Sequence, residues 1–263
     1  MSMRERSGER GIALIVALWG GAILAVVVMS VLQLTRADAR LQRGSADVAQ
    51  LGSVVDAAVN MTILAMLSPP QTRPTVNTGP APVTFGGATV QVSIMDESGK
   101  IDVNMVTAAG LRQLLVVAGL DGGQAQAMAE QMIAWRTTAS GGRPFQSVEG
   151  LQLIPGMTPA LYQRMAPMLT VYSQSPWLDP AYSSPEALGA FRAFDSGADS
   201  AWRRLIEERT GSRAPSKQPG VVLGHAFTIT AQAVSADGAR FTRVAVVRLT
   251  GQAQSPLLIY RWN

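Results

Sequence analysis

Apolar positions follow three successive patterns along this chain. Residues 11–35, GIALIVALWGGAILAVVVMSVLQLT, carry no charge, and about 20 apolar residues in helical form cross the hydrocarbon core of a bilayer. Over residues 36–67 the pattern narrows to a stripe. Leu41, Val48, Leu51, Val55, Val59, Ile63 and Met66 recur at gaps of three, four or seven, the period of a helix with one apolar face. No proline precedes Pro69, so one continuous helix is predicted over 12–67, roughly 80 Å long at 1.5 Å per residue. Its lower part, 12–35, is transmembrane, and its upper part, 36–67, is a stem that lays the stripe on a globular head. Gly44 and Gly52 weaken it locally. Ser68-Pro69-Pro70 stops it, because proline lacks the backbone donor, and the Pro, Thr, Asn and Gly residues up to Pro82 form a linker.

The third pattern is mixed. Val83-Thr84-Phe85, Gly86-Gly87 and residues 88–95 read as a hairpin, with Val90, Val92 and Ile94 on one face and Gln91 and Ser93 on the other. A turn at 96–100 leads into Ile101-Asp102-Val103-Asn104, closing a first sheet part at 83–106. Helices follow. Thr107 is a plausible N-cap for one carrying Leu111, Leu114, Leu115 and Ala118 and ending at Gly119. A second spans 124–135, a third opens at 144–149 with Ser147 able to cap it, and a fourth runs from Pro159 to about Met168 after the tight turn at 153–157. Residues 107–172 are therefore an all-helical insert. A second helical piece and linker occupy 173–220, with helices at 185–194 and 200–209. The end, 221–263, is β: strands at 226–234, 239–249 and 256–262, with a turn at Asp237-Gly238. The fold class is α+β, with a long N-terminal helix and an antiparallel sheet interrupted by helices.

Composition removes several chemistries. The 263 residues include no cysteine and a single histidine, which excludes disulfides, thiol nucleophiles, cysteine-ligated zinc and two-histidine metal sites. The net charge of +4 comes mainly from scattered arginines, which is not the block expected of a nucleic-acid tail. Arg4, Arg6 and Arg10 before the span are matched by Arg36, Arg40 and Arg43 after it. Membrane orientation is thus a near tie on charge. The apolar run exceeds the 7 to 15 residues of a secretory signal, although Ala37 and Ala39 supply a small-x-small match for signal cleavage.

The candidate chemistry is sparse. Leu153-Ile154-Pro155-Gly156-Met157 before a helix looks like the turn of a helix-hairpin-helix unit, whose backbone amides can hold a phosphate. The nearest cations are Arg143 and Arg164, too few for duplex binding, so Pro155 and Gly156 are read as a structural hairpin turn. Asp96, Glu97, Asp102 and Asn104 offer hard oxygens of the kind calcium takes. Their spacing is not that of an EF-hand, and solvated turn residues are the better reading; Asp96 and Asp102 remain the calcium candidates, and otherwise no cofactor is expected. His225, beside the first residue of a strand and without a spaced serine or aspartate, reads as an edge residue and not a catalyst. Trp135, Trp177, Trp202 and Trp262 read as core or junction anchors, with a partner surface open for Trp177. No titratable cluster supports an enzyme.

Gly11 before Ile12, after a short charged leader, is the kind of junction that prepilin peptidases cut. With the long stem and the β-rich head, the chain resembles type IV pilin-like proteins, and more specifically the K-type minor pseudopilins of type II secretion systems. The resemblance covers nearly the whole chain. It rests on Arg10-Gly11-Ile12-Ala13-Leu14-Ile15-Val16, Asp96 with Gly99-Lys100-Ile101-Asp102-Val103-Asn104, and Trp135-Arg136. Pro144-Phe145-Gln146-Ser147-Val148-Glu149-Gly150-Leu151, the 153–157 turn and Ile259-Tyr260-Arg261-Trp262 complete it.

The resemblance implies a leader at 1–11, cleavage after Gly11 and methylation of the Ile12 amine. It also implies a pilin-like head in the periplasm, a helix-hairpin-helix or SAM-like insert, and a single-pass anchor in the bacterial inner membrane. Val16 falls where most pilins have a glutamate that neutralises a neighbour's amine inside the membrane, a lack that the K-type family shares. The expected role is at the pseudopilus tip, helping to initiate assembly and the export of folded proteins. Implied partners are other minor pseudopilins through the stem stripe, the prepilin peptidase, inner-membrane lipid, and secreted substrates or the outer-membrane channel; nucleic acid is not expected. The loop at 137–143, Thr-Thr-Ala-Ser-Gly-Gly-Arg, stands where relatives carry a longer loop rich in acidic residues, glycine and tyrosine, so their calcium binding does not carry over. Two alternatives share parts of this pattern: a minor pilin of a type IV pilus, and a membrane-tethered helix-hairpin-helix protein that binds DNA.

Overall fold

The computed structural model describes residues 7–137, 142–194, 220–235 and 238–263. The helix expected at 200–209, Trp202, the Asp237 half of the last turn, Arg4 and Arg6 lie outside the described residues. Helix α1, Ser7–Leu67, is 61 residues long and ends one residue before Ser68-Pro69-Pro70, where the missing donor stops it. It runs through Gly11, Ile12 and Val16 without a break and begins before the expected cleavage point.

Strands β1 (Ala81–Phe85) and β2 (Ala88–Asp96) form the hairpin. Gly86 and Gly87 take φ of +57° and +80°, the left-handed pair that a two-residue hairpin turn demands. After the insert come β5 (Ala226–Val234), β6 (Arg240–Leu249) and β7 (Leu257–Trp262). Together they make an antiparallel five-stranded sheet in the order β1-β2-β5-β6-β7.

The stem stripe lies on this sheet. Leu51, Val55, Val59, Ile63 and Met66 are buried with Val90, Val92 and Ile94 of β2, Phe227, Ile229, Ala231 and Ala233 of β5, and Ala245 and Val247 of β6. Gly52 has a packing reason: a Cβ there would stand 3.3 Å from the Phe241 ring.

The insert consists of β3 (Ile101–Asp102), α2 (Ala108–Val117), α3 (Gly122–Thr137), α4 (Pro159–Met165) and β4 (Leu169–Thr170), with α5 (Pro185–Phe194) packed on α2. Thr107 caps α2 by accepting from the Gly110 amide at 3.2 Å, and Gly119 ends it at φ +101°. Asp121 caps α3 through the Gly123 and Gln124 amides, each at 2.9 Å.

Two expectations are corrected here. The third helix is a 3₁₀ segment, Val148–Leu153, and Ser147 makes no side-chain cap at its start. Ile101–Asp102 does not join the main sheet. It pairs in parallel with Leu169–Thr170, where a helix had been expected to end, and so ties the two ends of the insert together.

Candidate functional site

The junction between sheet and insert concentrates the polar chemistry, and it overturns two sequence readings. Asp96, Glu97 and Asp102 are not solvated: they are 1%, 2% and 2% exposed. Burying a carboxylate is tolerated only with hydrogen-bond partners, and each has them. His225 is not a lone edge residue either. Its Nδ1 lies 2.8 Å from Asp96 Oδ2 and 3.1 Å from Ser98 Oγ, and Ser98 Oγ donates to Asp96 Oδ1 at 2.6 Å.

A serine, a histidine and an aspartate thus meet, but not as a nucleophile triad. Acyl-transfer triads put carboxylate and serine on opposite ring nitrogens, whereas here both contact Nδ1 and the serine hydroxyl points at the carboxylate. The cluster is a clasp. It extends to Asn77, which accepts from the Asp96 amide at 2.8 Å and donates through Nδ2 to the Tyr182 carbonyl at 2.7 Å. The Asp179 amide donates to the Ser98 carbonyl at 2.7 Å. Tyr182, edge-on to His225, donates its hydroxyl to the Gly220 carbonyl. Burial pushes that phenol up to about 12, with the charges of Asp96 and Asp179 adding to the effect.

Asp102 anchors a second knot. Its Oδ1 accepts from the Asn104 amide at 2.9 Å, and its Oδ2 from the Gln174 amide at 2.8 Å and Ser173 Oγ at 3.2 Å. Burial raises its pKa, against those hydrogen bonds and the nearby charge of Arg136. Arg136, whose own pKa burial lowers, donates to the carbonyls of Val103 and Val106 and so holds the 103–106 turn against α3. Beside it, Trp135 is 40% exposed and stacks on buried Phe145. Trp177 is exposed to the same degree. Neither is the core anchor expected; Trp262, partly buried, does pack against the stem and sheet core.

Calcium needs six to eight converging oxygens. The oxygens of Asp96 and Asp102 are taken by donors of the chain itself, and no three His, Cys, Asp or Glu side chains converge among the described residues. These residues do not fit a calcium cage.

At the hairpin, Met157 N donates to Ile154 O at 3.0 Å, with Pro155 second and Gly156 third at φ +85°, the pattern of a type II turn. A Cβ on Gly156 would stand 3.3 Å from Met128 Cε, so the turn faces α3. Arg164 leans on the C-terminus of α2, beside Gly119. Only Ile154 of the turn is buried; Leu153, Pro155 and Gly156 are exposed and carry no basic side chain.

The stem differs most from the reading of its partners. Its stripe from Leu51 to Met66 is consumed by the protein's own sheet. Facing away are Met61 and Leu64, at 42% and 69% exposed; Val48, in line with the stripe but below its buried part, is 42% exposed, and further down Leu18, Trp19, Ile23, Leu24 and Val26 are 59–69% exposed. The window Val48–Leu67 is itself apolar and 20 residues long, enough to cross a bilayer, but 33% of it is buried inside the protein, as befits the core helix of a head.

An unbroken apolar helix whose upper third is the backbone of an antiparallel sheet defines a pilin-like architecture. One chain of the crystal structure of the GspK-GspI-GspJ complex from the enterotoxigenic Escherichia coli type 2 secretion system shares this fold. It has 14% identity and a TM-score of 0.51, over 87% of this chain and 98% of that one. Among curated protein sequences none matches. Residues 92–174 match the family model described as Type II secretion system (T2SS), protein K. Over those residues the chain is similar to protein K of the type II secretion system, and its fold is that of the pilin-like chain in the crystal structure.

Proposed function

We propose that this chain is a minor pseudopilin of type II secretion, anchored in the inner membrane by residues 12–35, with its head in the periplasm, and that it caps the pseudopilus tip to initiate assembly and export of folded proteins. The observation that carries this reading is the two-part environment of α1. The upper stem is spent on the head, whereas Leu18, Trp19, Ile23, Leu24, Val26, Val28 and Met29 are exposed among the described residues, an apolar surface suited to lipid or neighbouring helices. Prepilin peptidase removes the leader after Gly11 and the new Ile12 amine is methylated. Val16 offers no carboxylate to a neighbour's amine, and an unpaired charge in lipid is costly; a subunit above the others has no such neighbour to serve.

Other minor pseudopilins are its partners, as in the GspK-GspI-GspJ complex. Since the stripe is occupied, they meet the free face of the stem at Met61 and Leu64. Substrate or the outer-membrane channel meets the head. The protein has no catalytic role, because its Ser-His-Asp cluster is a clasp, and it binds no nucleic acid.

Intact-mass and N-terminal peptide analysis of the full-length protein, from cells with and without prepilin peptidase, tests this. The expected result is a methylated Ile12 terminus present only with the peptidase. A retained leader, or a cut after Ala39, would overturn the reading. For the partner face, Leu64→Arg is expected to abolish co-purification with other minor pseudopilins while leaving the head as stable as before.

A further inference from the structure

The head holds two apolar cores that share no residue. One lies wholly within residues 101–190; the other is built from the stem, β2, β5 and β6. What joins them is a mixed seam, in which the Tyr172 and Tyr260 rings lie 5.7 Å apart and Val246 is buried outside both cores, and its specific links are polar. Glu97 Oε1 accepts from Lys100 Nζ at 2.8 Å and Thr228 Oγ1 at 2.7 Å. Arg248 donates to the carbonyls of Tyr172 at 2.7 Å and Ser173 at 3.1 Å, and to the Tyr260 hydroxyl at 2.9 Å. Arg261 stands 3.7 Å from Glu149, both side chains well exposed. Among these groups lies a crevice of about 230 Å³, walled by Glu97, Lys100, Tyr162, Tyr172, Thr228 and Arg261. Val148, Leu169, Val244 and Val246 line it as well, and beside its polar groups it has room for several waters, at about 30 Å³ each. The seam already holds an open crevice and no continuous apolar core crosses it, and units whose interface is small and partly polar move relative to one another by default.

One side of the seam is pinned. At Gly99 the chain approaches residue 182 so closely that a Cβ would stand 2.1 Å from the Tyr182 carbonyl oxygen. The Asp96–His225, Asn77–Tyr182 and Asp179–Ser98 hydrogen bonds lock the same spot.

We propose that the helical insert is a rigid body that rocks on the sheet about this clasp, opening and closing the crevice at its Tyr172–Arg261 side. The motion carries the Pro155–Gly156 hairpin with it and lets the head present the insert at a range of angles. The inference goes beyond the tip-capping role and does not depend on it.

The absence of cysteine makes the test clean. Nitroxide labels are placed on the full-length chain in detergent micelles as three exposed cysteine pairs: Gln152→Cys with Leu258→Cys across the seam, Gln152→Cys with Ala127→Cys within the insert, and Leu258→Cys with Thr242→Cys within the sheet. Each site of the seam pair recurs in a control, so local label mobility cancels. Pulsed dipolar spectroscopy is expected to give a distance distribution roughly twofold broader across the seam than in either control, as small, partly polar interdomain contacts permit. Equal widths in all three pairs would overturn the proposal.

Discussion

Asp56 on the stem and Arg243 on β6, 187 residues apart, meet as a forked pair: Nε to Oδ1 at 2.5 Å and Nη2 to Oδ2 at 3.0 Å. The guanidinium also lies 5.2 Å from the centre of the Phe241 ring, the same ring that fills the space left by Gly52. This pair fixes the rotation of the stem on the sheet, because an apolar stripe alone tolerates sliding by a turn. A two-pronged contact has geometric specificity that lysine cannot reproduce. Arg243→Lys and Asp56→Asn are each expected to lower stability by about 0.5–1 kcal/mol, discounted for partial exposure. In a double-mutant cycle by urea unfolding, the pair should show coupling rather than additivity.

Gly99 and Gly189 make opposite predictions. A side chain at Gly99 would strike backbone, which cannot yield as a flexible side chain does, whereas nothing lies within 4 Å of a Cβ at Gly189, in α5. Gly99→Ala should destabilise by about 1–3 kcal/mol, the range for forced overpacking. Gly189→Ala should stabilise by about 0.5–1 kcal/mol through helix propensity. Thermal unfolding of the two variants side by side separates the effects.

Removing the Arg136 guanidinium strands the carbonyls of Val103 and Val106. Leaving buried acceptors unsatisfied costs about 1–3 kcal/mol, so Arg136→Ala should lose about that much. Arg136→Lys, able to reach only one carbonyl well, should fall between it and the wild type. Hydrogen exchange should locate the loss in residues 103–106 and α3.

Asp102 carries a pH dependence of defined sign. Its folded pKa is raised, chiefly by burial, so the folded state holds that proton more tightly than the unfolded chain. The stability it contributes is fully present below the ordinary aspartate range near 3.9 and is lost as pH rises through the folded value. Asp102→Asn removes the titration, and the variant's deficit relative to wild type should be larger at acid than at neutral pH. Urea unfolding at a series of pH values measures this slope.

Much of this architecture was legible from periodicity. The helical stripe, the alternation in β2, the glycine pair of the first hairpin and the caps at Thr107 and Gly119 are local signals, and each has the geometry its spacing dictates. The 3₁₀ segment at Val148–Leu153 was not legible, because six residues before Pro155 are too few to show a period. Gly99 carried a faint signal as a glycine in an acidic turn, but the backbone it must admit lies 83 positions away. The burial of Asp96, Glu97 and Asp102 defied the usual rule for charged turn residues. Their partners, His225, Thr228, Ser173 and Gln174, come from distant parts of the chain.

By itself the sequence determined what depends on near neighbours: an uninterrupted apolar helix, a proline stop, the strands and helices of an α+β head, and the lack of residues for thiol or paired-histidine chemistry. Only the tertiary structure decided which surface of the stem is spent on its own sheet and which is left for others. It also decided that an aspartate, a serine and a histidine form a clasp, and that two separate cores meet across a partly polar seam. The physical reason is common to all three. Local pattern sets which face of an element is apolar, but what covers that face, and which distant donor meets a buried carboxylate, is a property of the packed chain.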